Sequence, residues 1–273
     1  CPTVSDRVSA AVIEASGRRA EILGNFGVGY DHIDIAACRN AGLAVTNTPG
    51  VLTDATADLT LALMLMAARR GGEAERMVRA GRWSGWAPTQ LLGQTLTGRT
   101  LGLVGFGRIA RAVARRAHHG FGMRILYFAR GEAVGEDIAA LGAEWVPDLH
   151  ALLGRSDIVS LHVPGGAETR HLIDAAALSA MKPEALLINT ARGDVLDHDA
   201  LVAALQAGSI AGAGLDVYPR EPEVPEGLVS LENVVLLPHL GSATVDTRVA
   251  MGLKVFANLE AWFAGKAPPD RVV

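Results

Sequence analysis

Three polar side chains that could act together on a carbonyl group lie in the C-terminal half of the chain. Arg192, Glu221 and His239 each follow a short apolar run that predicts a β-strand. An arginine can clamp a carboxylate and polarise a carbonyl. A carboxylate that hydrogen-bonds an imidazole orients the ring, so a histidine can hold and deliver a proton near neutral pH. Since ligands bind beyond the carboxyl ends of strands in open α/β sheets, these positions predict an acid–base dyad beside a carboxylate-binding arginine.

Each of the three residues also has a simpler interpretation. Arg192 could pair with Asp194 in a loop, Glu221 could be solvated in a proline-rich turn, and His239 could lie at the entry of a helix. The occurrence of all three at strand ends favours the catalytic interpretation.

A glycine-rich turn, Gly-Phe-Gly-Arg-Ile-Ala at 105–110, provides a second set of candidate residues. An apolar run at 101–104 precedes the turn, and a helical pattern over 108–119 follows it. This order of strand, glycine turn and helix is the context of a dinucleotide-binding fingerprint. Gly105 permits the tight turn. Gly107 lets the backbone approach a pyrophosphate, which the free N–H groups at the start of a helix favour.

The end of the next predicted strand bears on which dinucleotide binds. A ribose-binding acid is expected about 20 residues beyond the glycines, but Ala129 occupies that position and Arg130 follows it. An acid would repel the 2′-phosphate of NADP, whereas an arginine can pair with it. The sequence therefore favours NADP(H) over NAD(H). In the alternative interpretation Arg130 is solvated, and Glu132 or Glu136 reaches the ribose of NAD(H).

The elements that must position these residues alternate regularly from residue 100 onward, which predicts βαβ units and a mostly parallel sheet. Predicted strands lie at 101–104, 124–128, 158–163, 185–189, 210–217 and 234–237, and predicted helices at 108–119, 148–153, 174–181 and 197–207. Before residue 100, strands at 21–23 and 43–45 predict a separate small α/β unit. A long helix over 54–77 follows, with Asp54 as its N-cap.

We therefore predict an α/β fold with two Rossmann-like domains and doubly wound parallel sheets, in which the cofactor domain is inserted into the substrate domain. The predicted substrate domain covers 1–92 and the dinucleotide-binding domain covers 93–241. A C-terminal helix within 242–273 is expected to return to the substrate domain.

Composition narrows the classes of function. The chain has 273 residues and a net charge of −4 without a basic block, which argues against a nucleic-acid partner. The longest apolar run, 59–68, has about half the roughly 20 residues that a membrane span needs, and it predicts a buried helix rather than a membrane segment. Cys1 and Cys38 form no CxxC pair, which fits a reducing cytoplasm. No His, Cys or carboxylate spacing predicts a metal site.

The chain begins abruptly at Cys1, without an initiator Met and almost directly with a helical pattern. We expect further residues upstream of Cys1, and hence a substrate domain that is incomplete at its N-terminus.

Several motifs together resemble the D-isomer-specific 2-hydroxyacid dehydrogenases, a family that includes glyoxylate/hydroxypyruvate reductases and glycerate dehydrogenases. The matching stretches cover nearly the whole chain: NFGVGYDHID (25–34), NTPG (47–50), TADLTLALMLMAARR (56–70), GFGRIA (105–110), NTARGD (189–194), AGLDVYPREP (213–222) and LPHLGSAT (237–244). The resemblance implies a homodimer, here through the helix and linker of 54–92. It also implies an active site in the cleft between the two domains. Ala110 replaces the third glycine of the fingerprint, a common small-residue substitute.

The resemblance also implies roles for individual residues. Arg192 would bind the carboxylate and carbonyl of the substrate, Glu221 would pair with His239, and His239 would protonate the carbonyl oxygen. Backbone N–H groups of Val28 and Gly29 would bind the substrate carboxylate. The expected cofactor-binding residues are Thr56, Gly105, Phe106, Gly107, Arg108, Ile109, Ala129, Arg130, Val163, Pro164, Thr190, Ala191, Asp216, His239 and Gly241.

The expected activity is the NAD(P)H-dependent reduction of a small 2-keto acid, glyoxylate or hydroxypyruvate, to the D-2-hydroxy acid. A dehydrogenase of D-3-phosphoglycerate or of another D-2-hydroxy acid is the alternative within the family. Formate dehydrogenase shares the fold, but its chemistry has no use for an acid–base pair. An NAD(H)-sensing, corepressor-like binding protein is the alternative from another class, and a turnover assay separates it from the enzymes.

Overall fold

The computed structural model describes residues 1–15 and 17–273, which divide into two compact units. The smaller unit comprises Cys1–Ala55 and Ser242–Val273, and the larger unit comprises Thr56–Gly241. The described helices are α1 Ala10–Ile13, α2 Ile35–Asn40, α3 Thr53–Ala68, α4 Gly71–Arg79, α5 Arg108–Phe121, α6 Glu136–Ala140, α7 Leu149–Arg155, α8 Ala175–Ser179, α9 His198–Gln206, α10 Glu226–Val229 and α11 Val245–Phe263. The described strands are β1 Ile22–Gly24, β2 Ala44–Thr46, β3 Thr100–Val104, β4 Arg124–Phe128, β5 Glu144–Trp145, β6 Ile158–Leu161, β7 Leu186–Asn189, β8 Gly212–Leu215 and β9 Val234–Leu236.

The smaller unit is built on the parallel pair β1 and β2, with Ile22 opposite Ala44. Cys38 and Val45 are fully buried in its core. The C-terminal helix α11 packs closely on β1, since a Cβ added at Gly24 would lie 2.8 Å from Cγ1 of Val255. Gly24 therefore allows this close approach between helix and strand.

The larger unit is a seven-stranded parallel sheet in the order β5-β4-β3-β6-β7-β8-β9. Its central strands β3, β6, β7 and β8 are buried along their whole length because helices cover both faces. The chain leaves β3 towards β4 and β5 on one side and continues from β6 to β9 on the other. The strand order therefore reverses between β3 and β6, which is the position where open α/β sheets bind ligands. The predicted parallel α/β sheet is confirmed.

The structure contradicts the single long helix predicted over 54–77. Helix α3 ends at Ala68, and α4 begins at Gly71 after Arg70, which has a left-handed φ of 52°. The adjacent Gly71 and Gly72 explain the break, because glycine is a poor helix former. The predicted N-cap at Asp54 is also wrong, since α3 already begins at Thr53 and Asp54 lies in its first turn.

Residues 56–92, which the sequence assigns to the substrate domain, lie in the larger unit. The physical reason is the apolar face of α3. Its Leu63 and Met64 are fully buried in one cluster with Leu101 and Leu103 of β3.

Within the described part of the chain, no helix has both the length and the hydropathy of a membrane span. Helices α6 and α10 and strand β5 were missed from the sequence because they contain only five, four and two residues.

Candidate active site

The glycine turn after β3 is shaped by a close approach between two strand ends. Gly105 has a φ of 92°, and a Cβ there would lie 2.9 Å from the carbonyl carbon of His162 and 3.0 Å from Cγ1 of Val163. Any side chain at Gly105 would therefore be strained and would collide with the segment after β6. The N–H of Gly105 donates to the carbonyl of Phe128 at 2.8 Å, so this turn also meets the end of β4.

The start of α5 has the properties of a pyrophosphate site. Gly107 is exposed at the N-cap position, no side chain caps the helix, and an added Cβ would meet no described protein atom within 4 Å. Arg108 and Ile109 form the first turn, while Ala110 is fully buried against the sheet. The helix N–H groups and dipole favour an anion here, so these residues fit a dinucleotide.

The side chain of Phe106 faces the protein interior. Its ring stacks on Tyr127 of β4 at a centroid distance of 4.0 Å, and the guanidinium of Arg111 lies 5.5 Å from the Phe106 ring centre. The side chain thus anchors the turn, which leaves the backbone of residue 106 as the part that can meet a cofactor.

The ends of β4 and β6 carry four further predicted cofactor residues. Arg130 is exposed and Ala129 is partly buried, with its carbonyl accepting a hydrogen bond from Nε1 of Trp145 at 3.3 Å. Val163 lies beside the Gly105 turn, and Pro164 follows it on the surface. All four lie at the carboxyl edge of the sheet, together with the glycine turn.

The predicted acid–base pair is formed in the larger unit. Nδ1 of His239 lies 2.7 Å from Oε2 of Glu221, and the other carboxylate oxygen accepts the backbone N–H of Tyr218 at 3.0 Å. About a quarter of each side chain is exposed, 27% for His239 and 24% for Glu221. With Nδ1 donating to the carboxylate, Nε2 is left to exchange a proton with a ligand.

The surroundings keep Glu221 ionised. Burial by itself would raise the pKa of this carboxyl, but the hydrogen bond and charge of His239, the N–H of Tyr218 and the charge of Arg192 together hold the pKa below its ordinary value.

Asp216 shapes the backbone that carries His239. This carboxyl is 1% exposed, and its two oxygens accept the N–H groups of Leu240 and Gly241 at 2.7 and 2.8 Å. The N–H of His239 donates to the carbonyl of Asp216, and His239 has a left-handed φ of 56°. Burial raises the pKa of Asp216 and outweighs these hydrogen bonds. Asp216 therefore holds the turn that presents the imidazole.

Arg192 is brought to the same edge by a contact that the sequence did not reveal. It precedes a short 3₁₀ turn, Gly193–Val195, and a Cβ added at Gly193 would lie 2.0 Å from the carbonyl carbon of Tyr218. The Arg192 loop therefore packs backbone to backbone against the segment that carries Glu221. The guanidinium of Arg192 donates to the carbonyl of Ala191 at 2.8 Å.

Threonine hydroxyls connect α3 by hydrogen bonds to the loop after β9 and to the loop after β7. The hydroxyl of Thr56 donates to the carbonyl of Gly241 at 2.9 Å. The hydroxyl of Thr60 donates to the carbonyl of Thr56 at 2.8 Å and lies 2.9 Å from the hydroxyl of Thr190. The structure thus brings together three predicted cofactor residues, and it adds Thr60, which only its one-turn spacing from Thr56 could have indicated.

Val28 and Gly29 lie in the smaller unit, in the loop that follows β1. Both are partly buried. Asn47 donates to the carbonyl of Val28 at 2.8 Å, and Asn25 donates to the carbonyl of Gly29 at 2.9 Å.

His162, at the end of β6, has a hydrogen-bond partner within its own segment. Its Nε2 lies 2.9 Å from the hydroxyl of Ser160, and burial lowers its pKa to about 3. The ring is therefore neutral near neutral pH. Within the residues that the structure describes, no cluster of three or more His, Cys, Asp or Glu side chains could hold a metal ion.

The sequence model of one family matches most of the larger unit. This model, which describes the NAD-binding domain of the D-isomer-specific 2-hydroxyacid dehydrogenases, matches residues 61–241. The chain belongs to this family. It is thus an oxidoreductase of the D-2-hydroxyacid dehydrogenase type that uses a nicotinamide cofactor, and the family expected from the motifs is confirmed.

Individual relatives extend the match over nearly the whole chain. A glyoxylate reductase of Thermococcus litoralis is 50% identical over 273 residues, which cover 98% of this chain and 81% of the relative. An NADPH-dependent glyoxylate/hydroxypyruvate reductase of Sinorhizobium meliloti, solved with NADP and malonate, is 45% identical with a TM-score of 0.85, over 93% of this chain and 77% of that one. The D-mandelate dehydrogenase of Rhodotorula graminis is 35% identical with a TM-score of 0.89, over 97% and 79% of the two chains.

Proposed function

We propose that this D-2-hydroxyacid dehydrogenase reduces a small 2-keto acid, glyoxylate or hydroxypyruvate, to the 2-hydroxy acid, with D configuration where the product is chiral. The observation that carries the proposal is the hydrogen bond of 2.7 Å between His239 and Glu221, beside the charge of Arg192 at the carboxyl edge of the sheet. The similarity to glyoxylate reductases at 50% identity supports the choice of substrate.

In the proposed mechanism the reduced nicotinamide, when bound, supplies a hydride to the carbonyl carbon. Arg192 binds the carboxylate and the carbonyl oxygen and stabilises the negative charge that develops there. His239 donates the proton from Nε2 to that oxygen as the C=O π electrons move onto it. Glu221 stays ionised, keeps the Nδ1–H in place and stabilises the positive charge of the imidazolium before the transfer.

The proposed binding roles divide between the two units. We assign the cofactor to the larger unit, where Gly105–Ile109, Ala129, Arg130, Val163, Pro164, Thr190, Ala191 and the backbone around Asp216 and Gly241 are the contacts. We assign binding of the substrate carboxylate in the smaller unit to the N–H groups of Val28 and Gly29.

A turnover assay with the purified protein tests the reaction. Consumption of NADPH is followed with glyoxylate, hydroxypyruvate and a panel of bulkier 2-keto acids. We expect turnover of the two small acids, and a His239→Gln variant should lose about 10²–10⁴-fold in kcat while its dissociation constant for NADPH changes far less. Wild-type protein that binds the cofactor but turns over no 2-keto acid would favour the corepressor-like alternative.

NADP(H) is the cofactor we propose for this chain. Ala129 offers no carboxylate to repel a 2′-phosphate, and the exposed Arg130 next to it can pair with one. Arg130→Asp should lower kcat/KM for NADPH by roughly 10- to 100-fold and leave that for NADH unchanged or higher. Arg39→Asp, an equally exposed change in the smaller unit, is the control. A wild-type preference for NADH would overturn the proposal.

We also propose a homodimer, assembled through residues of the helix and linker of 54–92. This segment exposes large apolar side chains, with Trp83 56%, Trp86 82% and Leu92 65% exposed. A cytoplasmic location stays a prediction from the low cysteine content.

A further inference from the structure

We propose that Asn25 is a positioning residue that aims the backbone N–H groups of the 28–30 loop at the substrate carboxylate. This inference rests on the proposed function, because it gives that loop the carboxylate as its ligand. It concerns the first side chain of the 25–34 motif, to which the sequence assigned no role and which is fully buried.

The hydrogen bonds of Asn25 fix the orientation of its amide. Nδ2 donates to the carbonyl of Gly27 at 3.0 Å and to the carbonyl of Gly29 at 2.9 Å, and Oδ1 lies 3.0 Å from Nε2 of His32. Since both amide hydrogens point at carbonyl oxygens, Oδ1 must be the acceptor and His32 the donor. The amide therefore uses both donors and its acceptor, and a flip would place Oδ1 against two carbonyls.

Two neighbouring groups also donate hydrogen bonds to carbonyls of this loop. Nδ2 of Asn47 donates to the carbonyl of Val28 at 2.8 Å, and the N–H of Thr48 donates to the carbonyl of Gly27 at 3.0 Å. Three successive carbonyls, those of Gly27, Val28 and Gly29, are thus bound by donors from the smaller unit itself.

The direction of the N–H groups follows from peptide geometry. In a planar trans peptide the C=O of one residue points opposite to the N–H of the next. Holding the carbonyls of residues 27, 28 and 29 therefore turns the N–H groups of Val28, Gly29 and Tyr30 away from those donors. Within the described part of the chain, these three N–H groups donate to no protein acceptor.

Such consecutive N–H groups form a concave site for an anion. A carboxylate accepts short, strong hydrogen bonds from backbone N–H groups. Asn25 controls the first and the last of the three peptide planes, and Asn47 controls the middle one. Removing the Asn25 amide leaves the Gly29 carbonyl without its donor, so the last plane is free to rotate and the site loses its fixed shape.

The experiment compares Asn25→Ala with Asn258→Ala as a matched control. Asn258 is also fully buried in the smaller unit, donates twice through Nδ2, to the carbonyl of Lys254 and to Asp270, and accepts once, from the N–H of Asp270. Each variant loses three side-chain hydrogen bonds of a fully buried asparagine, so a general loss of stability affects both. Steady-state reduction of glyoxylate and calorimetric binding of oxalate to the NADPH-loaded protein are measured for each.

We expect Asn25→Ala to raise the KM for glyoxylate and the Kd for oxalate by about 10- to 100-fold, with a much smaller change in kcat, because the lost interaction binds ground and transition states alike. Asn258→Ala should leave KM and Kd within about twofold of wild type. Equal effects of the two variants, or unchanged oxalate binding in Asn25→Ala, would overturn the inference. So would a wild-type protein that binds no oxalate.

His32→Ala keeps the test decisive if Asn25→Ala does not fold. It removes the donor to Oδ1 and leaves both carbonyl bonds possible, so the Kd for oxalate should rise by a smaller factor, about 3- to 10-fold. Unchanged oxalate binding in this variant would then count against the inference. Oxalate binding without glyoxylate turnover in the wild type would refute the proposed reaction and leave the positioning role of Asn25 supported.

Discussion

At the scale of single residues, the surroundings of Asp216 and Glu221, the two carboxyls near His239, shift their pKa values in opposite directions. Burial raises the pKa of Asp216, whose oxygens accept backbone N–H groups. The pKa of Glu221 is lowered despite its burial, because His239 and Arg192 lie beside it. Glu221 is therefore the charged partner of the imidazole, and Asp216 supports the turn.

The lowered pKa of Glu221 makes its contribution to stability depend on pH. A carboxyl with a lower pKa in the folded than in the unfolded protein contributes fully above its unfolded pKa, for which 4.5 is the reference, and loses this contribution as the pH falls through the lowered value. The free energy of unfolding of wild type should thus exceed that of Glu221→Gln above about pH 5, and the difference should shrink below this pH. Urea unfolding of both proteins across this range measures the difference. Glu132→Gln, an exposed change, is the control, and a difference that grows on acidification would contradict the prediction.

At the scale of elements, parallel strands bring the candidate groups together because their carboxyl ends share one edge. Strands β7, β8 and β9 are successive neighbours, and Arg192, Glu221 and His239 follow them in that order. The loops after β7 and β8 must also pack against each other, and Gly193 permits this because it has no side chain where it lies against the backbone of Tyr218. An alternating strand and helix pattern predicts the shared edge but not this contact.

Gly193→Ala should therefore separate the two loops that carry the candidate residues Arg192 and Glu221. The added Cβ would lie 2.0 Å from a carbonyl carbon, so we expect a loss of about 1–3 kcal/mol in the free energy of unfolding and a kcat/KM lowered by at least 10-fold. Gly120→Ala, within α5, meets no described atom within 4 Å and should stabilise the protein by about 0.5–1 kcal/mol. Chemical denaturation and turnover assays check both variants, and normal activity in Gly193→Ala would show that the fit between the loops is dispensable.

At the scale of the whole molecule, the chain forms two units, and the smaller one is assembled from both ends of the sequence. Each unit exposes several large apolar side chains. In the larger unit they include Trp83, Trp86 and Leu92, and in the smaller unit they form a stripe on α11 that includes Val249, Leu253 and Phe256. Exposed patches of this kind mark interaction sites, so oligomeric state is the property to test.

Sedimentation velocity of wild type should show a dimer, and the double change Trp83→Ser and Trp86→Ser should shift it towards monomer. The reason is that buried aromatic side chains dominate interface energies. Leu253→Ser with Phe256→Ser, on α11, is the matched control and should leave the dimer intact. If the α11 changes dissociate the dimer and the tryptophan changes do not, the interface assigned to 54–92 is wrong.

The sequence by itself determined the class of fold, the cofactor turn and the three candidate catalytic side chains. These features rest on local signals, namely alternating apolar runs, glycines between strand and helix, and polar residues at strand ends. The strand predicted at 124–128 coincides with β4, and the helix predicted at 108–119 lies within α5. Local periodicity did not show the break at Arg70. The helical pattern resumes after Gly71 and Gly72, so periodicity alone predicts one continuous helix.

Only the tertiary structure decided how distant segments meet. It set the strand order that places the glycine turn at the reversal, the contact of Gly193 with Tyr218, and the hydrogen bond from Asn47 to the carbonyl of Val28. The physical reason is that these contacts join backbone groups to residues elsewhere in the chain. Their partners are chosen by packing and by the need to satisfy buried carbonyls, which no short sequence window contains.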